Sequence, residues 1–68
     1  MISTGDLVRL NIYSDFNNGI VDIIGIPFDE IGIVIQEKGN VCSVCFPLLK
    51  DRIQSFMKED LEIVGGDH

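Results

Sequence analysis

The sequence predicts a small all-β domain of five short strands with one helical turn near residues 57–60. Three observations carry that expectation. Short runs rich in Val and Ile alternate with Gly, Asn, Asp and Pro along most of the chain, the pattern of strands separated by turns. No segment sustains the 3.6-residue apolar period of a long amphipathic helix. The chain has 68 residues, 46% of them apolar, enough for one small core and no more. The domain is expected over 1–64, with Gly65-Gly66-Asp67-His68 as a disordered tail.

The elements follow in order. Gly5-Asp6 is a turn signal, and Leu7-Val8-Arg9-Leu10 after it alternates as a first strand with Val8 and Leu10 on one face. Residues 11–30 form the longest irregular region, punctuated by Ser14-Asp15, Asn17-Asn18-Gly19, Gly25 and Pro27. Ile20-Val21-Asp22-Ile23-Ile24 within it has the composition of a short strand or hairpin arm. Connections this long in a small domain are usually functional or carry structure of their own.

Ile31-Gly32-Ile33-Val34-Ile35 is apolar on both faces, as in a buried strand. Gly32 inside it suggests a bulge or sharp bend. Glu37-Lys38-Gly39-Asn40 reads as a tight turn. Val41–Phe46 forms the next strand, with Cys42, Val44 and Phe46 on the more apolar face and Pro47 as its end. Asp51–Phe56 is a fourth strand, Met57–Asp60 a helical turn, and Leu61-Glu62-Ile63-Val64 the closing strand. A competing reading places a longer helix over Leu48–Leu61, where apolar residues also recur at helical spacing.

Composition bounds the function. Five basic and eleven acidic side chains give a net charge of −6. Phosphate backbones and anionic membranes recruit Lys and Arg, so nucleic acid is an unlikely partner and no membrane is expected. No run of some 18 apolar residues spans a bilayer, and Met1 leads into Ser-Thr-Gly-Asp without the pattern of a signal peptide, so a cytoplasmic location is expected.

Cys42 and Cys45 have C-x-x-C spacing. On a strand, residues three apart face opposite sides about 10 Å apart, too far for a disulfide. A structural zinc site needs four ligands, and the only histidine is the last residue. Two reduced thiols are expected, with no metal and no cofactor. No nucleophile elbow or phosphate loop is present, so no catalytic residue and no enzyme activity are expected.

The order of elements is that of a small SH3-like barrel. Gly5-Asp6-Leu7-Val8-Arg9-Leu10, Gly32-Ile33-Val34-Ile35, Val41–Pro47 and Lys58-Glu59-Asp60-Leu61-Glu62-Ile63-Val64 together resemble short proteins of tailed bacteriophages. These begin with G-D-x-V and finish with E-D-L-x-x-V. The resemblance covers most of the chain except residues 11–30, and it implies a fold more than a function. Peptide-binding SH3 domains carry a tryptophan in an aromatic groove, and this chain has none. KOW-type barrels carry a basic surface that is missing here, and Tudor-type barrels cage cations with several aromatics.

The candidate partner-binding residues are Tyr13, Asp15, Phe16, Phe28 and Asp29. Aromatic anchors ringed by polar residues characterise interfaces, and Asp22 and Glu30 add to the acidic rim. The alternative is that these rings fold back over the core, because a domain this small needs every large side chain it can bury. The expectation is a non-enzymatic protein-interaction module, bacteriophage-encoded. It would act as a minor assembly component or as a binder of a host protein, in the host cytoplasm or the virion, with a host, virion or self partner. The alternatives are a KOW- or Tudor-type nucleic-acid-associated barrel and an acidic inhibitor that mimics nucleic-acid charge.

Overall fold

The computed structural model describes residues 2–65, except for the side chains at 16, 20 and 24. The expected tail therefore lies outside the described residues from 66 onward, while Gly65 closes the last strand. Five strands form one antiparallel sheet: β1 (Leu7–Leu10), β2 (Gly32–Lys38), β3 (Val41–Phe46), β4 (Arg52–Met57) and β5 (Leu61–Gly65), in the order β4-β3-β2-β1-β5. The sheet is not closed, and β4 and β5 are its two edges. The all-β expectation holds for the sheet, and each expected strand is present, apart from the arm over 20–24; β2 runs three residues past its expected end, to Lys38, and takes in the first half of the turn expected over 37–40. The longer helix over 48–61 is excluded, since β4 pairs with β3 through that stretch from Val41↔Met57 to Phe46↔Arg52.

Alternation decides which face is buried. Val8 and Leu10 of β1, Val34 of β2, Cys42, Val44 and Phe46 of β3, Phe56 of β4 and Leu61 of β5 form one core, joined by Ile2 and Ile26. The Phe46 and Phe56 rings meet edge to face, centroids 6.2 Å apart, a favoured aromatic geometry. Gly32 does not bulge. It pairs with Val8, and a Cβ there would collide with Val44 and come within 3.0 Å of the Phe46 ring. The glycine thus admits β3 side chains close to the backbone of β2. The bulge falls three residues on, at Ile35, where the register passes from Val34↔Val44 to Gln36↔Ser43 and leaves Ile35 exposed.

The β2–β3 hairpin turns through Gly39, at φ 59°. Two 3-10 turns, Pro47–Leu49 and Lys58–Asp60, precede β4 and β5. The second is fixed to the hairpin by the Lys58 amide donating to the Asn40 carbonyl at 2.8 Å and by a Lys58–Glu37 ion pair. Cys42 is buried in the core and Cys45 lies half-buried; both are free thiols.

The main correction concerns residues 11–30. Asp15–Ile24 is an α-helix, α1, not irregular chain with a strand at 20–24. Its ends are written locally. Ser14 is an N-cap whose hydroxyl accepts from the Asn17 amide, and Gly25 ends the helix at φ 71° with its amide donating to the Val21 carbonyl. Asp15 in the first turn suits the positive end of the helix dipole. Apolar residues at 16, 20, 21 and 24 have helical spacing, whereas the Asn17-Asn18-Gly19 run suggested a loop. Capping at both ends and attachment to the sheet outweigh that local preference. Among the described residues no helix is long and apolar enough to cross a membrane.

Candidate functional site

The segment between β1 and α1 is held by a compact polar knot. Asn17 is fully buried, and its Nδ2 donates to the carbonyls of Asn11 at 3.0 Å and Asp60 at 2.6 Å. The Ser14 hydroxyl donates to Asp60 Oδ1 at 2.7 Å, and the Asn11 amide donates to the Asp60 carbonyl at 2.9 Å. Asn11 Oδ1 accepts from the Tyr13 amide at 2.9 Å. These bonds connect the helix N-terminus to the 3-10 turn before β5 and leave little freedom to residues 11–14. Asn17 Oδ1 is buried with no hydrogen-bond partner among the described residues, so this anchor keeps one polar atom unsatisfied.

The knot sets Tyr13 on the rim of an open cleft of about 310 Å³, lined by Arg9, Ile12, Tyr13, Phe28, Asp29 and Glu62. The floor is the outer side of β1 and β5, where Arg9 and Glu62 are register partners joined by a 3.1 Å ion pair, both about half exposed. Phe28 is partly buried and packs against the core, whereas Tyr13 is 85% exposed and Ile12 is exposed beside it. One ring has folded back and the other stands in solvent, so the two expectations for these aromatics divide between them. The cleft carries two carboxylates, one guanidinium and a mixed aliphatic and aromatic wall. That combination can hold an apolar side chain flanked by a cation, and the Tyr13 hydroxyl offers a hydrogen bond at the rim.

Three of the five sequence candidates, Tyr13, Phe28 and Asp29, come together here. Asp15 does not; it is exposed in the first turn of α1 and does not line the cleft. Phe16 is the second residue of α1, and its side chain lies outside what the structure describes. Asp22 is exposed on the helix and Glu30 half-buried beyond the cleft, so the acidic rim reduces to Asp29 and Glu62. Arg9, Ile12 and Glu62 were missed. Ile12 adjoins Tyr13 in sequence and could have been included, but Arg9 and Glu62 meet only through the β1–β5 register, 53 residues apart.

Among the described residues, no three His, Cys, Asp or Glu side chains gather to hold a metal ion. The Cys42 thiol is pushed up from its ordinary pKa, chiefly by burial; Lys58 counters this and Glu37 adds to it. A core thiol of this kind is a poor nucleophile. Comparison with family models, with curated proteins and with solved structures finds no match to this chain.

Proposed function

We propose that the protein is a non-enzymatic protein-interaction module of SH3-like architecture, bacteriophage-encoded, that docks a partner segment in the Tyr13–Phe28–Asp29 cleft. The observation that supports it most is Tyr13, a large ring left 85% exposed although its backbone is fixed by Asn11 and the Asn17 knot. A small domain that needs apolar burial gains nothing from holding an aromatic ring in water, and a pre-positioned ring lowers the ordering cost of binding. The strand order β4-β3-β2-β1-β5, with a 3-10 turn before the last strand, supports the barrel reading. So does the sharing of one core by Phe56 and Leu61 of the two edge strands.

The segment the cleft suits is apolar with an adjacent Lys or Arg, because Asp29 borders it while Glu62 is paired with Arg9. The role is that of a minor assembly component or a binder of a host protein. The test is affinity capture with the tagged protein from host and infected-cell lysates, against a charge-matched acidic control. The expected result is one enriched protein that is lost with Tyr13→Ala; enrichment that Tyr13→Ala leaves unchanged would place docking elsewhere. A KOW- or Tudor-type nucleic-acid role competes with this proposal, as does charge mimicry. A salt-sensitive shift of RNA or DNA on a gel would favour the nucleic-acid role.

A further inference from the structure

We propose that the occupant of the cleft is the 47–52 turn of a second copy of this chain, in a head-to-tail contact. This rests on the docking role of the cleft and names its partner. The turn has the features the cleft asks for. Leu48 stands 83% exposed on the 3-10 turn after β3, where no residue is buried. Lys50 follows two residues later and Arg52 two after that, the closest pair of cations in a chain of net charge −6. Leu48, Leu49, Lys50 and Arg52 border one shallow hollow beside Gly25. Leu48 thus matches the Ile12–Tyr13–Phe28 wall, and Lys50 matches Asp29. Each side also carries one charge of the opposite sign, Asp51 on the turn and Arg9 in the cleft, which fixes orientation more than it adds attraction.

The backbone of the turn carries a second sign. Lys50 at φ 59° and Asp51 at φ 56° are consecutive left-handed residues, and neither is glycine. L-residues with side chains rarely take this form, and such strain tends to collect where shape matters for function. The turn leads into β4, one edge of the sheet, while the cleft lies on β1 and β5 at the other. The two patches lie at opposite edges of the sheet, so one copy can offer its turn to one neighbour and its cleft to another, and the proposed contact repeats from copy to copy.

The experiment is sedimentation equilibrium of the intact chain with amide spectra at rising concentration. The expected result is a weight-average mass climbing above 7.6 kDa in the range of about 0.1–1 mM, as suits a contact of small area. Two separate sets of amide shifts should move together, one around residues 12–13 and 28–29 and one around 48–52. Asp29→Lys and Lys50→Glu should each weaken self-association by about tenfold, and an equimolar mixture of the two should restore it. Both variants are exposed substitutions whose folding is checked by circular dichroism. A mass that stays at the monomer value to roughly 2 mM, shifts confined to one patch, or no recovery on mixing would overturn the proposal. Tyr13-dependent capture of another protein, found alongside a strictly monomeric chain, would refute the self-contact and leave the cleft's docking role standing.

Discussion

The β2–β3–β4 meander and the 11–31 excursion are built on opposite principles. The meander is built on ladder: five Cα partner pairs join β2 to β3 across one bulge and six join β3 to β4, with Val34, Cys42, Val44, Phe46 and Phe56 buried beneath. The excursion has no strand. It is a ten-residue helix with a cap at each end, fixed at its start by Asn17 and backed by Ile26, Val21 and Phe28 against the core. Stability in the first region is spread over many apolar contacts, and in the second a few polar bonds join a smaller apolar contribution from Ile26, Val21 and Phe28. The region with the concentrated anchor is also the one that holds an aromatic ring in solvent. The polar anchor lies beside the proposed docking surface, which takes only Phe28 from the residues packed on the core.

The largest break in this comparison should come from the meander. Phe46→Ala removes a fully buried ring that contacts Phe56 and lies over Gly32. A loss of about 3–5 kcal/mol is expected, comparable to the whole stability of a domain of this size. Urea denaturation should show little or no folded baseline.

Asn17→Ala comes next. It removes both donors to the Asn11 and Asp60 carbonyls and leaves those carbonyls without that partner, at a cost of about 1–3 kcal/mol. If the knot positions Tyr13, amide exchange should speed up through residues 11–18 more than through β3. Uniform acceleration across the chain would mean that the helix and sheet open as one unit. Ser14→Ala should act in the same direction and less strongly, by about 1 kcal/mol for a lost N-cap.

A smaller effect separates the two thiols. Cys42 in the folded chain ionises above its ordinary pKa, so its contribution to stability is complete below the unfolded thiol value of about 8.5. That contribution is lost as pH rises through the folded value, because the unfolded chain then releases a proton the native chain still holds. Stability should therefore decline with pH above about 8.5, and Cys42→Ala should flatten that decline. At pH 8, a thiol reagent should modify the half-buried Cys45 first and Cys42 only on unfolding.

Most of the sheet was legible in the sequence because strand alternation and glycine turns are local signals. Alternation alone puts Val8 with Leu10, and Cys42 with Val44 and Phe46, on one face, which is the buried one, and turn chemistry points to Gly39. The helix was misread because Asn17-Asn18-Gly19 is loop-like by composition. What offsets that run includes the Asn17 bond to Asp60, 43 residues away, which no local signal reveals. Long-range register hid the cleft floor in the same way. Tyr13, Phe28 and Asp29 could be grouped from one irregular segment, but nothing local announces that Arg9 pairs with Glu62.

The central claim is that Tyr13 is held for contact and not for packing, and thermal melting of Tyr13→Ala beside Asn17→Ala tests it most directly. The account predicts a Tyr13→Ala change within about 0.5 kcal/mol, as for an ordinary surface site, and so a midpoint within roughly 4 °C of the parent chain. Asn17→Ala should melt clearly lower. A Tyr13→Ala loss as large as that of Asn17→Ala would make the ring a structural element and contradict the account.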